Sequence, residues 1–157
     1  MTSIYLETVI NGPAEICFDL ARSIELHQFT TKHTGERAVG GRTSGLINKD
    51  EFVTWEAVHF FVKQNLTVKI IAMTRPEAFT DIMLEGAFKS MWHEHAFRQN
   101  GDQTIMIDDF KYEMPYGIFG NLFDKIILKK YMISMLNERN RIIKHCAETS
   151  EWKKYLS

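Results

Sequence analysis

The hydrophobic period of this chain changes once, at Pro115 and Gly117, and that change restricts the folds open to it. Before it, stretches at about 51–61, 64–73, 78–86, 88–98 and 103–113 are β-rich and set off by turn signals. The signals are Arg75-Pro76, Gly86 and Asn100-Gly101-Asp102. Sequential strands at this spacing predict an antiparallel meander. Beyond the change, Phe119, Leu122, Phe123, Ile126, Ile133, Leu136, Ile142 and Cys146 recur mostly at three- and four-residue steps, which predicts one helix over about 119–148. At 1.5 Å per residue that helix is roughly 45 Å long, enough to cross a whole small domain.

The start of the chain adds a strand and two short helices. Residues 3–10 alternate and are β-rich, so they read as a strand. Asn11-Gly12-Pro13 stops it, and Pro13 suits a first helical position. Ile16, Cys17, Leu20 and Ala21 form an apolar helical face, and Ser23 can cap a second helix through His27. Residues 30–50 are polar, hold Gly35, Gly40, Gly41 and Gly45, and predict short strands with turns. The expected architecture is a single α+β domain over residues 1–157. A curved sheet of six or seven antiparallel strands wraps the long C-terminal helix, with space left between them.

Composition excludes some functions. The chain is 45% hydrophobic and 25% charged, with a formal net charge of -1 and no basic run longer than a lysine pair such as Lys129-Lys130, so nucleic acid is not an expected partner. No apolar run approaches the roughly 20 residues of a bilayer span, so membrane insertion is not expected, and the cytoplasm is the expected location. Cys17 and Cys146 sit among apolar neighbours and read as buried thiols in a reducing compartment. Nucleophile elbow, phosphate loop, CxxC pair and zinc-protease helix motif are all missing, and no cofactor or metal is expected.

Strand parity selects the candidate site. Over 88–98, the charged set with Ser90, Trp92, Glu94 and Arg98 belongs outside, so Met91, His93, His95 and Phe97 face inward. Over 103–113, Thr104, Met106, Asp108, Phe110 and Tyr112 form the better inner face. His59 and Trp55 on strand 51–61 are placed with them, and Glu56 outside. The two imidazoles and Asp108 can form a satisfied polar network, hold the polar end of a guest, or do acid–base or two-His-one-carboxylate metal chemistry. Seven methionines, at 73, 83, 91, 106, 114, 132 and 135, read as core filler or as a malleable pocket wall. Phe61, Phe97, Phe110, Phe119 and Phe123 are expected to make the interior aromatic. The segment from Pro115 to Gly120 is placed at the cavity mouth or read as a plain helix start.

Local patterns resemble the helix-grip superfamily called SRPBCC, which includes START-related lipid-transfer domains, aromatase/cyclases and the birch-pollen-allergen group. They are Val53-Thr-Trp55-Glu56-Ala57-Val-His59-Phe60; Gly86-Ala-Phe88 with His93-Glu-His95-Ala-Phe97; and Thr104-Ile-Met-Ile-Asp108 with Tyr112, Pro115, Gly117 and Arg139. The closer likeness is to a bacterial subgroup. It implies a cavity for a hydrophobic small molecule such as a lipid, a polyketide-like or an aromatic compound, held by a carrier or sensor. The alternative is a cyclase, dehydratase or hydrolase using His93, His95 and Asp108. An outer face with Trp92, Ile105 and Ile107 would suit a protein partner or a homodimer contact.

Overall fold

The computed structural model describes all 157 residues. The strands are β1 (Thr2–Ile10), β2 (Arg37–Gly41), β3 (Phe52–His59), β4 (Val62–Thr74), β5 (Ala78–Glu85), β6 (Ser90–Asn100) and β7 (Gln103–Glu113). They form one antiparallel sheet in the order β1-β7-β6-β5-β4-β3-β2, so the meander from β2 to β7 is closed on its last strand by β1. Helices α1 (Ala14–Ala21) and α2 (Ile24–Thr30) come after β1; Ser23 caps α2 as expected, whereas Pro13 is extended and stands at the N-cap of α1, one residue before the first helical position expected for it. Ser23 Oγ accepts the Leu26 N–H at 3.2 Å, a cap worth about 1 kcal/mol.

After β7 the chain is helical without a break from Gly117 to Glu148. It begins as α3 (Gly117–Phe123), widens into one π turn (Asp124–Leu128) and continues as α4 (Lys129–Glu148). The carboxylate of Asp124, at the start of the π turn, accepts hydroxyl hydrogen bonds from Tyr112 and Thr2. A π turn inserts one extra residue, so the faces of α3 and α4 are rotated relative to one another. Gly120 is forced by packing, because a side chain there would strike the Pro115 carbonyl.

Three expectations change. The strand placed at 51–61 ends at His59, and Phe60 and Phe61 form a two-residue turn with φ of 50° and 65°. Hairpin turns of that kind normally use Asn or Gly, so nothing in the sequence signals it. Phe61 is therefore outside, fully exposed. Phe119 is also outside, 83% exposed, because no strand packs closely against α3. Within 30–50 only β2 forms, with a bulge against β3.

Helix α4 packs on β1, α1 and α2. At that end the core is solid: Ile10, Cys17, Phe18, Leu20, Met106 and Ile143 are each about 1% exposed or less. Both cysteines are buried and free, and burial pushes the Cys17 thiol up to about 11. On the convex face, Lys111 lies over the Trp92 ring at 4.7 Å and Ile107 is buried among its neighbours. The apolar outer patch expected there is consequently covered. Exposed apolar side chains gather instead at Tyr116, Ile118, Phe119, Leu122 and Ile126. No helix is long and apolar enough to cross a membrane.

Candidate functional site

The helix lies close to the sheet at β1 and stands away from it over the other strands. The gap is a cavity of about 320 Å³. Strands β3 to β7, helix α4 and the α1–α2 region line it, and β1 contributes nothing. Of its 34 lining residues 22 are hydrophobic, which suits an apolar guest. Phe60 and Phe123, 42% and 36% exposed with ring centroids 5.6 Å apart, mark the outer rim.

The expected site residues divide. Trp55, His59, Met91, His93, His95, Phe110 and Phe123 line the cavity. Phe97, Met106 and Tyr112 are buried but do not. Phe97 packs edge-on to Phe18 at 5.4 Å, Met106 is in the solid end of the core, and Tyr112 is tied to Asp124. Asp108 is 1% exposed, one layer behind the cavity wall. Of the methionines, Met91, Met114, Met132 and Met135 border the cavity.

Strand register builds the polar cluster. Asp81 on β5 pairs with His93 on β6, and His95 on β6 pairs with Asp108 on β7. The hydrogen bonds run diagonally across these pairs, which two-residue steps on one sheet face permit. His93 Nε2 meets Asp108 Oδ1 at 2.8 Å, and His95 Nε2 meets Asp81 Oδ2 at 2.9 Å. Helix α4 closes the network. Arg139 donates to Asp108 Oδ1 at 3.2 Å and to His95 Nδ1 at 3.1 Å, and Asn140 donates to Asp108 Oδ2 at 2.7 Å. Parity identifies His93, His95 and Asp108. It does not identify Asp81, whose strand shows no polar alternation, or the role of Asn140.

Hydrogen-bond chemistry sets the tautomers. A guanidinium only donates, so His95 Nδ1 accepts and Nε2 carries the proton given to Asp81. Both nitrogens of His95 are thus occupied. Asp81, His93 and His95 each place one potential metal-ligand atom within 4.8 Å of the others. Nε2 ligation of a metal would move the His95 proton to Nδ1, against the Arg139 N–H, so the donor set does not fit a metal. His93 differs: Nε2–H points to Asp108, and Nδ1 keeps a free lone pair.

The same contacts set the charges. Burial pushes the Asp108 carboxyl up, but the Arg139 guanidinium first and the His93 hydrogen bond second outweigh it and hold it well below the usual carboxylate range. Burial also opposes ionisation of Asp81, and the His95 hydrogen bond reverses the balance, leaving it lowered. His93 is lowered by burial first and by its neighbour His95 second.

A depressed imidazole binds a proton in the unfolded chain before it does in the native one. Its contribution to stability is complete above the unfolded value near 6.5 and is lost as pH falls toward the folded value. His59, lowered mainly by burial, has the same sign. The depressed carboxylates act likewise below about 4. The unfolding free energy from urea titrations should therefore drop between pH 7 and 5, by up to about 1.4 kcal/mol per pH unit for each such imidazole, with the midpoint falling accordingly. His93→Gln should flatten that limb, and a midpoint that rises on acidification would contradict the assignment.

A second polar group lies farther along the wall, around β3. His27 stacks on Trp55 at 4.1 Å, its Nε2 meets Glu36 Oε1 at 2.5 Å, and His59 Nδ1 meets the Tyr131 hydroxyl at 2.7 Å. All five residues line the cavity. His27 and Glu36 come from α2 and the segment before β2, and no sequence pattern joins them to the site.

The chain has a helix-grip fold of the SRPBCC type, the architecture of START, Bet v 1-like and polyketide-cyclase proteins. Among solved structures it is similar to a Thermus thermophilus protein, with a TM-score of 0.72 at 19% identity, over 93% of this chain and 99% of that one. It is similar to ginseng major latex-like protein 151 from Panax ginseng, with a TM-score of 0.69 at 15% identity, over 94% and 98%. It also matches the di-domain ARO/CYC StfQ from the steffimycin biosynthetic pathway, with a TM-score of 0.74 at 9% identity, over 93% of this chain and 50% of that one. No protein-family model and no curated protein matches the sequence.

Proposed function

We propose that this protein binds an apolar small molecule in the cavity between sheet and α4, as a carrier or sensor. The observation that carries the reading is the cavity itself: about 320 Å³ and mostly apolar, with the half-exposed Phe60–Phe123 pair packed at its edge. Solid protein interiors leave few voids larger than a water, so a space of this size between sheet and helix suits a guest. Methionines along its wall can adapt to an irregular shape. The polar cluster at Asp81 and His93 would meet the guest's polar end.

Ala57, 5% exposed on β3, lines the cavity. Nile red, a neutral apolar dye, should bind the wild-type protein saturably. Ala57→Trp should fill the space and weaken binding by about tenfold or more, or 1.4 kcal/mol, with an unchanged circular dichroism spectrum. Absence of dye binding by the wild type, or equal binding by both, would count against the reading.

One observation favours a catalytic second reading. His93 holds its Nε2–H on Asp108 and turns Nδ1 to the cavity, as an oriented general base requires. Asp108 is shared with Arg139 and Asn140, which draws off the charge that would raise His93 basicity. In this reading His93 transfers the proton, and His95, with both nitrogens occupied, does not. His93→Gln would abolish turnover while His95→Gln would only weaken it.

A further inference from the structure

We infer that the cavity selects an apolar guest whose polar end donates hydrogen bonds and carries positive charge, an aliphatic or aromatic amine, and disfavours fatty carboxylates. This deepens the binding reading above and rests on it. Two acceptor atoms face the cavity without a partner. Asp81 gives Oδ2 to His95, and its Oδ1 makes no hydrogen bond although the residue is 8% exposed. His93 gives Nε2 to Asp108, and its Nδ1 makes none although the residue is 7% exposed. No fully buried side-chain nitrogen or oxygen in the molecule lacks a partner, so both atoms open onto the cavity their residues line.

The charge balance of the cluster has the same sign. Asp81 and Asp108 are two carboxylates, and Arg139 is the one guanidinium between the helix and them. Arg139 is neutralised by Asp108, which leaves Asp81 facing the guest with only a neutral imidazole for company. The other cation on the cavity wall, Arg22, is held by Asp19 at 2.8 Å. A third carboxylate, Glu36, lines the cavity against His27. Arg139 Nε is a free donor and is the one feature that would welcome an acceptor. It sits inside a cluster with one surplus negative charge, and a carboxylate placed there would meet like charge at low dielectric. An ammonium would meet opposite charge and could donate to Oδ1 and Nδ1 together.

Displacement of Nile red at pH 7.5 by dodecylamine, dodecanol and dodecanoate, each kept below its micelle concentration, separates the possibilities. The three share one chain and differ in the head. Dodecylamine should displace at about tenfold lower concentration than dodecanoate, or more, with dodecanol between them. Asp81→Asn should compress that order. If dodecanoate matches or beats dodecylamine on the wild-type protein, the charge selection is overturned while apolar binding stands. If Nile red itself does not bind, both readings fall. The wild-type order decides the matter even if the Asp81→Asn variant does not fold.

Discussion

Replacing Arg139 by Met should lower the unfolding free energy at pH 7.5 by about 3–5 kcal/mol, the usual cost of stranding one partner of a buried ion pair. Methionine keeps much of the unbranched stem and removes the charge. Arg139 is 7% exposed, and Asp108 beside it is 1% exposed. Without the guanidinium, Asp108 keeps only the Asn140 amide and the His93 N–H, both neutral donors. Its carboxyl should then rise toward protonation, because burial already pushes it up and the largest opposing charge is gone. The variant should therefore recover part of its stability as pH falls, opposite in sign to the wild type. Urea titrations at pH 7.5 and 5 read both effects. Adding Asp108→Asn to Arg139→Met should restore most of the loss. A single-variant loss under about 1 kcal/mol, the range of exposed pairs, would mean that Asp108 reaches water and that the cluster is not sealed behind the cavity wall.

Phe18→Ala should cost about 3–5 kcal/mol as well, by a different mechanism. Phe18 is 0% exposed on α1 and meets Phe79 edge-on at 5.3 Å and Phe97 at 5.4 Å. Truncation removes buried apolar area, leaves a hole, and forfeits two aromatic pairs worth about 0.5–1.5 kcal/mol each beyond burial. This loss should show no pH dependence between 5 and 7.5, since no group that titrates in that range touches it directly. Thermal unfolding at both pH values checks the claim, and a loss below about 2 kcal/mol would mean that the site collapses around the gap. Because Phe97 is held by Phe18 and not by open space, Phe97→Ser should unfold the protein before it alters dye affinity. Phe110, on the cavity wall, should do the reverse.

Much of this molecule is legible without coordinates, because the controlling physics is local. A strand turns successive side chains to opposite faces, so the alternation at His93, His95, Asp108 and Phe110 assigns them to the interior before any pairing is known. The 3.6-residue repeat after Gly117 is equally local, and it marks out the long helix. The Phe60-Phe61 turn is illegible for the converse reason: its positive φ values are imposed by the register of β3 on β4 and not chosen by residues that favour them. Tertiary structure alone decided which inward residues border open space. That depends on how far α4 stands from the sheet: close at β1, where Met106 is packed solid, and distant over β3 to β6, where Met91 and His93 meet the cavity. It also joined Asp81, Arg139 and Asn140 to the two histidines, because hydrogen bonds between β5, β6, β7 and a helix far along the chain leave no periodic trace in the sequence.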